Sequence, residues 1–93
     1  MSNGNDEVAN IKEHIKKLIS ENDLVSAGEL LKKYEISNSD DIEVFSIKAV
    51  ILMLSGKLDE AESVLLEGFS ADPKNFDINY NLGYICEQKH MFD

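Results

Sequence analysis

The packing residues of this chain echo one another every 34 positions, and the frame never slips. Leu24, Leu58 and Phe92 stand 34 apart, as do Ala27 and Ala61, then Ile15, Ala49 and Gly83, then Val8, Ile42 and Phe76. A fixed period of this length in a helix-favouring sequence predicts repeated helical hairpins, whose units bury apolar faces against their neighbours. It disfavours a sheet protein or a bundle around one private core. The first six or seven residues fall outside the pattern and read as a flexible leader, 1–7.

Local patterning agrees with the period. Val8, Ile11, Ile15, Leu18 and Ile19 form one stripe of an amphipathic helix. Glu21-Asn22-Asp23 then offers a turn and an N-cap. A second helix is expected from Leu24 to about Tyr34, with the small residues Ala27 and Gly28 admitting a close neighbour. Asp40 or Asp41 is expected to cap a third helix running from about Ile42 to Ser55. That helix is apolar almost all round, as suits a helix flanked on several sides, and Gly56 supplies its stop. A fourth helix follows from Leu58 to about Phe69, and Pro73 closes it by pushing Asp72 out of helical geometry. The fifth spans about Phe76 to Lys89. Met91-Phe92-Asp93 reads as the opening of a partner helix, so the sequence is expected to be cut from a longer array or to find a partner at that end.

At this point the chain resembles the tetratricopeptide repeat, a pattern of W-x2-L-G-x2-Y, then A-x3-F, then P. In 42–75, Phe45 stands in the Trp slot, Ala49 in the Gly slot and Leu52 in the Tyr slot, followed by Ala61, Leu65 and Pro73. In 76–93, Asn79-Tyr80-Asn81-Leu82-Gly83-Tyr84-Ile85 keeps Leu-Gly intact, while Cys86 takes the Tyr slot and His90 the turn glycine. The first unit, 8–41, is degenerate, with His14 in the Leu slot and Ser39 in the Pro slot. The resemblance implies an all-α fold: a right-handed superhelical array of antiparallel helix hairpins, with about five helices here. It also implies that Ala49 and Gly83, like Ala27 and Ala61, sit where paired helices cross, and that His14 is partly buried.

No catalytic constellation is visible. The sequence has no phosphate-binding Gly-rich loop, no H-E-x-x-H, and no second and third ligand near either histidine. We therefore expect no enzyme activity, no cofactor and no metal. With 9 basic against 18 acidic residues the chain carries a formal charge of −9, which disfavours nucleic acid and anionic membrane surfaces. A single cysteine, Cys86, fits a reducing compartment and is expected to be a small buried hydrophobe. With no secretory leader visible, a cytoplasmic location is expected. The Lys-, Ile- and Asn-rich composition has a low-GC bacterial flavour.

In the family it resembles, the first helix of each pair lines a concave groove. Helical spacing then assigns Lys12, Lys16 and Ile19 to that wall in the first unit, Ser46, Val50, Met53 and Leu54 in the second, and Tyr80, Tyr84, Glu87 and Gln88 in the third. The family's carboxylate clamp is matched only at Lys12 and Asn81; Lys16, Ser46 and Ile47 stand where it needs Asn and cations, which argues against a reader of chaperone tails. The leading expectation is a non-catalytic scaffold that binds a partner protein or peptide in the groove. A second is a repeat appendage of a larger enzyme, such as a bacterial glycosyltransferase. A third is self-association, a two-fold homodimer through the uncovered end at Leu82, Ile85, Cys86 and Phe92.

Overall fold

A computed structural model describes the backbone of residues 4–91 and the side chains of residues 10–90. Five helices follow one another: α1 (Gly4–Ser20), α2 (Leu24–Ser37), α3 (Glu43–Leu54), α4 (Leu58–Ala71) and α5 (Phe76–Met91). No strand occurs among the described residues.

The 34-residue echo reappears as backbone geometry. After α1, the Asp23 N–H donates to Leu18 O at 2.8 Å and the Asn22 N–H to Ile19 O at 2.9 Å. After α3, Lys57 donates to Leu52 O at 2.8 Å and Gly56 to Met53 O at 3.0 Å. These are two copies of one helix stop, in which a residue at positive φ turns the chain and the last carbonyls find donors. Asn22 holds φ 62° and Gly56 φ 80°. Asn tolerates this region better than other side chains do, which explains how the first unit keeps the turn without a glycine. His90, at the third equivalent position, lies within α5 instead.

Two helix starts carry side-chain caps where the sequence suggested them, and the start of α5 carries one it did not. Asp23 Oδ1 accepts from the Ser26 N–H at 3.2 Å, and Asp41 Oδ1 from the Glu43 N–H at 3.0 Å. Asn75 Oδ1 accepts from the Ile78 N–H at 3.1 Å. Helix ends run further than the apolar pattern reaches. α1 begins at Gly4, inside the expected leader, and α2 continues to Ser37. There the Asn38 side chain donates back to Tyr34 O at 3.0 Å, satisfying a carbonyl of the last turn.

The chain divides into two compact units, Met1–Asp40 and Asp41–Asp93. In the first, α1 packs on α2, and the buried side chains are Ile15, Ala27, Leu31 and Tyr34. Lys12 Nζ lies 6.0 Å from the centroid of the Tyr34 ring. His14 is exposed, contrary to the expectation of a partly buried histidine. Its neighbour Ile15 takes the inward direction, and one residue is about 100° on a helix.

In the second unit α3, α4 and α5 all touch one another, so α5 belongs to the same body as the hairpin before it. Ala49, Ala61, Leu65, Ile78 and Ile85 are fully buried at the centre, with Phe45, Leu52 and Leu82 packed around them. The helices close tightly at Gly68. A Cβ there would stand 2.8 Å from Ile78 Cδ1 and 2.9 Å from Phe45 Cβ. The expected crossing glycine, Gly83, is exposed and has open space where its Cβ would be; so does Gly28. The close approach therefore comes from α4, because α5 turns Ile78, Leu82 and Ile85 inward, and Gly83 falls on another side.

Candidate functional site

On α3 the inward residues leave Val50, Met53 and Leu54 along a second side of the helix. On α5 the inward stripe Ile78, Leu82 and Ile85 leaves Tyr80, Asn81, Tyr84 and Gln88 on a side that helical spacing also makes continuous. Together with Gly56 and Leu58 from the α3–α4 turn, these side chains line a cleft of about 600 Å³ within the second unit. No Lys, Asp or Glu lines it; its polar groups are amides and phenols. Leu54 is 55% exposed and Tyr80 65%, so the cleft is an open trough rather than an enclosed cavity. Phe76 stacks on Tyr80 with ring centroids 6.1 Å apart, which steadies the tyrosine that forms the rim.

A second, smaller hollow of about 340 Å³ lies across the tyrosines, lined by Asn79, Tyr80, Gly83, Tyr84 and Glu87. Tyr80 and Tyr84 thus form a ridge shared by both hollows. The missing side chain at Gly83 leaves the outer one open.

Of the residues the sequence assigned to a binding wall, Val50, Met53, Leu54, Tyr80, Tyr84 and Gln88 come together in this cleft, and Glu87 lines the hollow beside it. Ser46 does not line it: the residue is only 7% exposed, and its Oγ finds no hydrogen-bond partner among the described residues. Ser46 lies four residues before Val50, and that step back along α3 carries it out of the open trough. Lys12 and Lys16 belong to the first unit, where Lys12 lies over Tyr34 and Lys16 sits 3.9 Å from Glu13. Gly56 and Leu58 were not foreseen as wall residues, and Asn81 was named only for its likeness to the clamp, although its place three residues before Tyr84 was legible from helical spacing.

The residues expected to mediate self-association separate. Ile85 is fully buried in its own unit and Leu82 is half-buried beside it, because both serve the α4-facing stripe. Cys86 is exposed, not the buried hydrophobe expected, since Ile85 holds the inward position next to it. Phe92 lies outside the described residues.

One ionic tie closes the α4–α5 seam. Lys89 Nζ contacts Asp59 Oδ1 at 2.8 Å and Glu62 Oε1 at 3.2 Å. The hydrogen bond from Lys89, reinforced by its charge, holds the Asp59 carboxyl below its usual value. The bonds to Asp59 and Glu62 raise Lys89 above its own. Lys89 is thereby committed to the seam and faces away from the tyrosine ridge. No group of three or more potential metal ligands occurs among the described residues. No helix there is long and apolar enough to cross a membrane.

Comparison of the chain with protein families, with curated proteins and with solved structures gives no match.

Proposed function

We propose that this chain is an interaction module of the tetratricopeptide-repeat kind, which takes a segment of a partner protein into the cleft between α3 and α5 and performs no reaction of its own. The observation that carries this reading is the cleft: two helices 34 residues apart in register present an apolar trough rimmed by two exposed tyrosines. Its volume is that of a ligand-binding cleft, and its mixture of aliphatic, aromatic and amide groups suits a side chain together with its backbone. The repeated helix stop at Asn22 and Gly56 supports the repeat assignment, since a shared period in both sequence and hydrogen bonding is what tandem units require. The family's right-handed superhelical stacking of hairpins is part of the same proposal.

The test is titration of the chain with peptide libraries, comparing Tyr80→Ala and Tyr84→Ala. Both residues are substantially exposed, so neither truncation unfolds the unit. Each is expected to weaken a cleft-bound peptide about fivefold to thirtyfold, the usual cost of truncating an aromatic anchor. Binding unchanged in both variants would place the site elsewhere.

A further inference from the structure

The proposal concerns which segment the cleft accepts, and it rests on the reading of the cleft as a peptide site. The second unit carries ten Asp and Glu against four Lys. Lys89, the one lysine of α5, is held by Asp59 and Glu62 on the α4 side. The remaining charges of α5 are Asp77 and Glu87, both exposed, and neither forms an ion pair among the described residues. Asp77 heads the stripe that continues through Asn81, Tyr84 and Gln88 into the apolar cleft. Glu87 lines the outer hollow beside Tyr80 and Tyr84. The tyrosine ridge therefore separates an uncharged trough from a hollow lined by a carboxylate and two tyrosines.

We propose that the partner is a cationic protein segment lying across α5. One aliphatic or aromatic side chain fills the α3–α5 trough, and a Lys or Arg a few residues away crosses the ridge into the outer hollow. There Glu87 pairs with its charge and the tyrosine faces receive it as a cation–π partner. The absence of a side chain at Gly83 leaves room for it. An acidic segment would meet Asp77 and Glu87 with like charge, while Lys89 is held by Asp59 and Glu62.

The experiment uses the whole chain and three sets of blocked decapeptides, each with a central Leu or Phe. The flanks are Lys and Ser, Gln and Ser, or Glu and Ser. Affinity is read by fluorescence anisotropy in low and moderate salt, with Lys/Ser peptides lacking the apolar residue as a control for diffuse attraction. The Lys-flanked set with its anchor is expected to bind most tightly. Glu87→Gln should weaken it about threefold, as loss of one exposed ion pair does. Glu67→Gln, which removes an exposed charge on α4, should leave it within about 1.5-fold, as expected of a charge with no direct partner in the complex. Gly83→Leu, which fills the outer hollow, should also remove the preference for Lys flanks. If Tyr80→Ala abolishes binding but Lys, Gln and Glu flanks bind alike, the cationic assignment fails and the cleft stands. Equal effects of Glu87→Gln and Glu67→Gln also overturn it, since the attraction is then diffuse. If no set responds to Tyr80→Ala or to Tyr84→Ala, both proposals fall.

Discussion

Gly68→Ala is the substitution for which local propensity and tertiary packing pull hardest in opposite directions. Gly68 lies inside α4, where exchange of glycine for alanine ordinarily gains about 1 kcal/mol of helix stability. Here the added Cβ would come within 2.8 Å of Ile78 Cδ1, 2.9 Å of Phe45 Cβ and 3.0 Å of Phe45 Cγ. Carbon atoms in contact prefer about 3.5–4.0 Å. The Ile78 methyl ends a side chain, yet Ile78 is fully buried and has no free volume to turn into. Phe45 Cβ is fixed to the backbone of α3, so relief there requires α3 to move off α4. Overpacking of this sort costs about 1–3 kcal/mol. After the helical gain is set against it, a net loss of up to about 2 kcal/mol remains. For a chain of this size that lowers Tm by up to roughly 15 °C. Thermal and urea unfolding followed at 222 nm measure it. Gly83→Ala and Gly28→Ala are the internal controls: each is helical with nothing within 4 Å of the new Cβ, and each should gain about 0.5–1 kcal/mol. A Gly68→Ala protein as stable as these controls would show that α3 and α5 do not close on α4 as described.

The two matching helix stops invite an exchange. Gly56→Ala at φ 80° should cost about 1 kcal/mol, whereas Asn22→Gly at φ 62° should gain a few tenths, both by urea midpoint; equal and negligible effects would deny that the two turns share a geometry. The Lys89 tie should be weak and electrostatic, so Lys89→Met lowers Tm slightly at neutral pH, and less in high salt. Asp59, depressed below its usual 3.8, contributes above that value and loses its contribution as pH falls through the lower folded value. Lys89, raised above 10.5, contributes below that pH and loses it as pH climbs past. The difference between wild type and Lys89→Met should therefore close at both extremes; one that persisted in strong acid would mean the side chain acts by packing instead.

The helices were legible because their signals are local. Apolar spacing, Asp23 before Leu24, Asp41 before Glu43, and Gly56 and Pro73 at the stops act through bonds within a few residues. The resemblance, with helical spacing, named Val50, Met53, Leu54, Tyr80, Tyr84 and Gln88, which line one cleft. Inward and outward positions on α5 were not legible. Phe76, Ile78, Tyr80, Leu82, Tyr84, Ile85 and Cys86 spread around the whole helix, so no stripe announces the core side.

What the sequence determined by itself is the all-helical architecture, the turn positions and the 34-residue register, because each follows from short-range backbone chemistry repeated in frame. Only the tertiary structure decided that Ile85 and not Cys86 is inside, and that Gly68 and not Gly83 carries the close contact. Those outcomes depend on which side of a nearly uniform helix meets its neighbours. That choice is made by the joint fit of α3, α4 and α5 around one core, and no single stretch of chain encodes it.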